Sequence, residues 1–526
     1  MSLLQKASII TTPTAYAEDY LYSIKPVYAL GNEKVSSIEN SPFYPFNTFT
    51  DNGGGSYTCI STSTSWKGFQ QPSSDTFAVT ISQVYRITFD CVINSGTHFQ
   101  FFIGNDAVGS AYTPVTTISA TGSYSFDHTV TISNSAARFV SQCNQVVDFT
   151  ISNISIVKIT DADFRMQRSS TATRVNEEGL IEEVAINTPR IDFTGGTGSI
   201  LLEPSSTNLI TYSEDFNDSS WVKSGVGTGS TPSVISNYSI SPDGTQNADR
   251  VVFDLNGGTA NGDVSQVSVS FGTVSSSDYT NSVYIKSNTT NDYDVVVADP
   301  SGGHITNNIT PQWQRFEATR TGVTNLSIRI RLRGDESTSD YADVSIWGAQ
   351  VEEVAYATSY IPTNGSTQTR AVDNCNNAGN SDLISSTEGT LYLESKSAIE
   401  TISGYNYYIA LSDGTSSNRL EIRQTGANLQ FLWRVGGAYQ SQIISSGIQL
   451  TNFNKIALKY SSSEISYWIN ENEIGTISTP TLFSANTLTE LAFDDGGGGN
   501  PFQGNAKMVA VFKEALTDEE LTKLTS

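Results

Sequence analysis

The sequence predicts an all-β, multidomain protein built from tandem β-sandwich or jelly-roll modules, closed by a short C-terminal helix. Three observations carry that prediction. Apolar and polar residues alternate with period two along many segments, as half-buried strands require. Turn residues interrupt these segments at short spacing, and the chain holds 41 Gly, which suits sandwiches. Only 16% of residues are charged, below the usual quarter, so uncharged Ser, Thr, Asn and Gly must cover much of the surface.

At 526 residues, about three to five domains are expected. Residues 1–40 read as a leader with few strand signals. Residues 41–160 read as a first β-module, with alternation along Phe77–Ile93 and Val146–Ile159. Residues 161–206 form a connector. Gly179, Pro189, Gly195, Gly196 and Pro204 interrupt it, and short strands are expected at Leu180–Val184 and Ile191–Phe193. It is too poor in apolar residues to build a core and must lie against the next module or another copy. Residues 207–373 read as a second module, with strands at Asn281–Ser287 and Leu326–Gly334 (LSIRIRLRG). The first two modules end alike, which suggests a weak internal repeat. Residues 374–526 read as a third module, with Asn454–Asn470 alternating. Its end, Thr517–Leu524, reads as the helix. Thr517 and Glu520 form a capping box, and the early acids suit the positive helix N-terminus.

Charge narrows the function classes. With 29 Lys+Arg against 53 Asp+Glu, the net charge is −24. That disfavours phosphate-backbone and anionic-membrane binding, so neither a nucleic-acid partner nor membrane insertion is expected. No apolar run reaches the roughly 18 residues of a span. The N-terminus has one Lys and no long apolar stretch, so no signal peptide is expected. Cys59, Cys91, Cys143 and Cys375 are too few for a disulfide scaffold and lack CxxC spacing. They read as small buried thiols, with one bridge among the first three as the alternative.

Three stretches are not generic: Ser169–Phe193 with Leu201–Phe216, Val344–Asp373 (VSIWGAQVEEVAYATSYIPTNGSTQTRAVD), and Phe502–Leu524. Together they resemble structural proteins of tailed bacteriophages: head fibres, capsid decorations and tail-associated adhesins. The resemblance covers residues 161–526. It implies a carbohydrate-binding-module-like jelly roll over 207–373 and a concanavalin A-like, or laminin G-like, sandwich over 374–526. It also implies virion localisation, a homotrimer, and attachment to other phage structural proteins through the leader. Residues 32–160 depart from the family pattern as an inserted β-sandwich whose role the resemblance does not supply.

Candidate sites follow. The leader's Leu3, Leu4, Ile9, Ile10, Tyr16, Tyr20, Leu21, Tyr22 and Ile24, with Pro13 and Pro26, form an apolar stretch too short to fold alone. It is expected to anchor the chain on the particle, ordering as it binds. Asp494 and Asp495 beside four glycines suggest a rim loop for a sugar hydroxyl or Ca²⁺, against a polar loop with no ligand. Trp433 and Tyr407, with Tyr405 and Tyr408, are candidate sugar-stacking aromatics, with core packing as the competing reading for Trp433. Trp221, Trp313 and Trp347 read as core. His98, His128 and His304 read as surface or loop residues.

No catalytic residue, metal site or cofactor is expected. The chain has no GxSxG elbow, HExxH or P-loop. Glu421 is a single acid between basic residues, not a glycosidase pair. The expected function is a non-enzymatic virion fibre or decoration protein whose modules bind host-surface or environmental glycans. The alternatives are a tailspike-like polysaccharide depolymerase and a purely structural capsid-stabilising protein.

Overall fold

The computed structural model describes residues 3–25, 38–42, 44–74, 76–79, 81, 83–105, 111–159, 161–297 and 300–526. The chain divides into two compact units. The smaller comprises Ser8–Thr11 and Tyr22–Asp163; the larger comprises Met1–Ala7, Thr12–Leu21 and Phe164–Ser526. Strands dominate both, and one short helix, Asp518–Leu524, ends the chain. No described helix is long and apolar enough to cross a membrane.

The smaller unit contains two antiparallel sheets. One runs Thr116–Ile118, Phe99–Gly104, Asn134–Cys143, Lys67–Gln70, Glu39–Asn40. The other runs Gly122–Thr129, Val84–Gly96, Val147–Ile159, Ser56–Ser61, Thr48–Gly53. Alternation does the sorting: Tyr85, Ile87, Phe89 and Cys91 are buried in the core, Thr88 and Asp90 between them are half-buried, and Arg86 is buried against Asp127. Phenylalanines fill the core, with Phe99 stacked on Phe149 at 4.0 Å. Gly96 is required at a bulge. Its φ is +96°, and a Cβ there would lie 2.4 Å from the Val146 carbonyl.

His128 is buried, contrary to the surface position expected. It lies parallel to Phe101 at 5.3 Å and sits between the Thr113 and Thr116 hydroxyls, and burial lowers its pKa to about 4. All four cysteines are buried free thiols, and burial pushes Cys91 up to about 12. Native protein is therefore expected to leave a chromogenic disulfide reagent unreacted, whereas denatured protein releases four equivalents.

The larger unit holds two sandwiches. In the first, the long strands Val264–Ser287 and Gln314–Arg333 pass through both layers. Their outer halves pair with each other and with Val222–Val226 and Tyr293–Val297. Their other halves pair alongside Tyr341–Glu352. The register shifts around Gly272 and Ser277 mark where they change layer.

The second sandwich sets a five-stranded sheet (Ala438–Ile444, Asn428–Val435, Arg419–Gly426, Ile402–Ser412, Glu490–Ala492) against a larger one containing Gly504–Phe512, Gly389–Ser397, Asn454–Tyr460, Glu464–Ile469 and Asn472–Ser478. The helix is capped as expected: the Thr517 hydroxyl accepts from the Glu520 N–H, and Glu520 accepts from the Thr517 N–H.

The leader corrects its expectation. It forms strands Ala7–Ala17 and Tyr20–Lys25, and Leu21 pairs with Phe164. Ile9, Ile10, Tyr20, Leu21 and Tyr22 are buried within this chain, so they are not free to anchor a partner; Leu3 and Leu4 are half-buried, and Tyr16 and Ile24 are exposed. Lys6 pairs with Glu520 at 2.6 Å and Glu514 at 3.1 Å. Pro26 and the rest of 26–37 lie outside the described residues.

The connector supplies strands Ala172–Val175, Ile181–Val184, Arg190–Asp192, Ser199–Leu202 and Ser206–Asn208. Ile181 packs on Ala248, Trp347 and Tyr360. Trp347 is therefore not in the jelly-roll core. Val344 and Ile346 face that core, Gly348 adopts φ +64°, and Ala349 and Val351 face it again. Trp347, next to Ile346, falls on the opposite face under the connector, and the extra residue resets the alternation so that Ala349 and Val351 return to the core.

Candidate functional site

Trp433 does not stack on a ligand. Leu429, Phe431 and Trp433 point inward on one strand, the indole N–H donates to the Thr481 carbonyl, and only 2% of the side chain is exposed. Tyr408 is likewise buried, against Phe502. Trp221 is core as expected, whereas Trp313 is half-buried, with the Lys286 ammonium 5.1 Å from its ring centroid.

Asp494 and Asp495 spend their carboxylates on their own loop. Asp494 Oδ1 accepts from the Gly496 N–H at 2.7 Å. Asp495 accepts from the N–H groups of Gly497 and Gly499 and from the Asn500 amide. Among the described residues, no group of three or more His, Cys, Asp or Glu could hold a metal ion. The loop folds down on the five-stranded sheet: Arg419 Nη1 donates to the Asp495 carbonyl at 2.6 Å, and a Cβ on Gly496 would meet Ser412, Ala410 and Arg419.

Tyr407 and Asp495 thereby reach the same sheet face. Its rows follow from register. One row is Tyr407, Arg423, Gln430, Ile444; another is Ser412, Arg419, Arg434, Tyr439, with Glu421 and Leu432 between them. Tyr405 and Tyr407 cover the Arg423 guanidinium at 3.9 and 5.6 Å. Arg423 Nε donates to Gln430 Oε1 at 2.7 Å, and Gln430 donates onward to Gln442. Glu421, fully buried, pairs with Arg419 at 2.5 Å and Arg423 at 2.9 Å. Tyr405 and Tyr439 are half exposed at opposite margins. Three strand spacings separate their strands, roughly 14 Å. Arg423, Gln430, Arg419 and Glu421 are thus buried in the face, and Tyr405, Gln442 and Tyr439 are the groups it exposes, aromatic rings and an amide suited to a saccharide. The sequence reading found Tyr405 and Tyr407 but missed Tyr439. The alternation Arg419, Glu421, Arg423 was the signal for the face.

A second assembly gathers the non-generic motifs. Asp373 accepts from Arg168 and Arg190, and from the Glu203 N–H at 3.0 Å. Glu203 pairs with Arg190 at 2.7 Å and Arg370 at 3.0 Å and accepts from the Ser359 N–H and hydroxyl. Arg370 reaches Thr358, which donates to Glu352. Burial opposes ionisation of Glu203, but Arg370 and Arg190 outweigh it and hold the carboxyl at about 2. Asp373 and Glu203 are each shared by two arginines, while Arg190 Nε and Arg370 Nε have no hydrogen-bond partner, so the assembly joins segments far apart in the chain.

Five other acids are raised by burial: Glu214 and Glu490, Glu421 to about 7, Asp494 to about 6, and Asp249, which accepts from the Phe216 and Asn237 N–H groups, to about 6. Each binds its proton more tightly folded than unfolded, so stability falls as pH rises from about 4 to about 7. Glu203 has the opposite sign: its contribution is complete above about 4.5 and disappears as pH falls toward 2. The melting temperature of the larger unit is expected to rise between pH 7.5 and 5 and to fall below about pH 4, as read by tryptophan fluorescence.

The concanavalin A-like lectin/glucanases superfamily model matches residues 391–522, which include the whole tyrosine-rimmed face. No curated protein matches the chain. Similar solved structures include the CBM40 domain of a Ruminococcus gnavus IT-sialidase bound to α2,3-sialyllactose (17% identity, 27% of this chain and 83% of that one, TM-score 0.24). Another is domain 4 of a GH43 arabinanase from Geobacillus stearothermophilus in complex with arabinotriose (12%, 33% and 81%, TM-score 0.25). A third is the tandem CBM22 domain of Paenibacillus barcinonensis Xyn10C (11%, 65% and 99%, TM-score 0.22).

Proposed function

We propose that this chain is a glycan-binding structural protein of a tailed-bacteriophage particle, acting by adhesion and not by catalysis. The observation that carries glycan binding is the face on which exposed Tyr405, Gln442 and Tyr439 surround the buried Arg423–Gln430 pair, inside the segment similar to concanavalin A-like lectins. Virion localisation, attachment to other phage structural proteins and a homotrimer belong to the proposal through the motif resemblance. Many copies would multiply a weak single-site affinity by high effective concentration. An uncharged polar surface with net charge −24 limits clumping between particles.

The test couples binding to location. On a glycan array, Tyr405→Ala is expected to lower the signal of each bound glycan about fivefold, since loss of one stacking ring costs about 1 kcal/mol. Trp433→Phe is expected to leave it unchanged. Antibody fragments against residues 374–526 should decorate purified particles in cryo-electron micrographs. Unlabelled particles would remove the virion reading. New reducing ends on host polysaccharide would replace adhesion by depolymerisation.

A further inference from the structure

The strand stretch LSIRIRLRG, read from the sequence only as an alternating strand, sets Arg329, Arg331 and Arg333 on one face of the first sandwich of the larger unit. Arg331 occupies the middle of a five-strand row: Ser224, Gln266, Arg331, Val296, Thr306. Arg329 stands opposite Ser268, which faces Val222. No acid lies in either row.

Three other sheet-face arginines meet a carboxylate across the strand: Arg86 meets Asp127, Arg174 meets Glu182 and Arg250 meets Asp343. Among the described residues, other arginines leave at most one buried nitrogen without a partner, and Arg331 leaves two. Arg333 has Asp335 beside it at 2.9 Å. Arg331 is 95% buried (5% exposed), yet its Nε and Nη2 have no hydrogen-bond partner. A buried guanidinium with donors unfilled costs more than any ordinary surface arginine. Burial and the neighbouring Arg329 and Arg333 lower its pKa to about 10, against the opposing pull of Asp335 and Glu336. An oxyanion satisfies such a group, because carboxylate and sulfate geometry matches the guanidinium fork.

We infer that the Arg329–Arg331–Arg333 face is a second saccharide site, for acidic polysaccharides that carry carboxylate or sulfate groups. The inference takes its ligand class from the glycan-binding reading but uses a different sandwich. Ser224, Gln266, Ser268 and Thr306 supply the hydroxyl and amide groups that sugar hydroxyls need. The chain's overall negative charge excludes acidic polymers elsewhere, so the three arginines would confine binding to this face.

The test uses the full chain with three immobilised polymers: alginate for carboxylate, dextran sulfate for sulfate, and neutral dextran. Binding of alginate or dextran sulfate but not dextran is expected, falling as NaCl rises. Which of the two binds decides the oxyanion. Arg331→Gln and Arg329→Gln should each weaken binding at least tenfold. Arg329 is half-buried, so its variant carries the test if Arg331→Gln melts early. Tyr405→Ala should leave this binding intact, which separates failure here from failure of the tyrosine-rimmed face. The inference is overturned if neither acidic polymer binds, if both arginine variants bind normally, if Tyr405→Ala alone abolishes binding, or if a single-stranded oligonucleotide binds as tightly.

Discussion

Asp373→Ala is expected to destabilise the larger unit by about 3–5 kcal/mol. The side chain is fully buried. Its two oxygens serve Arg168, Arg190 and the Glu203 N–H. Removing it leaves two guanidiniums short of an acceptor where water cannot replace it. The expected loss measures that exposure of unpaired charge, not the worth of the pair, since buried ion pairs roughly break even against apolar packing. Their use here is geometric. The segment bearing Arg168, the connector strand bearing Arg190, the Glu203 turn and the 358–373 closure each place a charged group at one point, so no other register satisfies them all. Five of the six tryptophans (221, 313, 347, 433 and 468) lie in the larger unit, and only Trp66 lies in the smaller. Tryptophan fluorescence in denaturant should therefore show the main transition at lower concentration with its slope unchanged. Far-ultraviolet circular dichroism should still show the smaller unit's transition where it was.

How much of this was legible depended on distance along the chain. Period-two alternation is local, so strands such as Val84–Gly96 and the helix with its Thr517–Glu520 capping box could be read directly. The motif residues Arg190, Glu203 and Asp373 stood out as a non-periodic string, but their pairing spans up to 183 residues and has no local signature. The leader failed for the same reason. Its apolar residues were visible, while Phe164, which pairs with Leu21, comes from far along the chain. His128 was misplaced because its burial depends on two threonines and a phenylalanine from other strands. For Trp433, alternation with Leu429 and Phe431 already favoured the core. The saccharide face was half legible: the tyrosines of one margin lie together in the sequence, whereas Tyr439 joins them only through register.

Trp347→Ala is expected to cost about 3–5 kcal/mol, the usual penalty for truncating a fully buried tryptophan. The consequence should differ from that of a core deletion. Trp347 lies 4.5 Å from the Tyr360 ring and 5.5 Å from the Tyr284 ring, with Ile181 of the connector over it. The jelly-roll core itself, built on Val267, Val283, Ile328 and Ile346, keeps all its members. Truncation should therefore loosen the cover before the sandwich. Its indole N–H has no hydrogen-bond partner, so Trp347→Phe loses only area and should recover most of the stability. Limited proteolysis reads the difference: in Trp347→Ala, cleavage within residues 176–189 should precede global unfolding, whereas Val283→Ala should release the sandwich and connector together. Equal early cleavage in both variants would mean that the connector and jelly roll open as one cooperative unit, with the buried arginine–carboxylate assembly holding the cover in place.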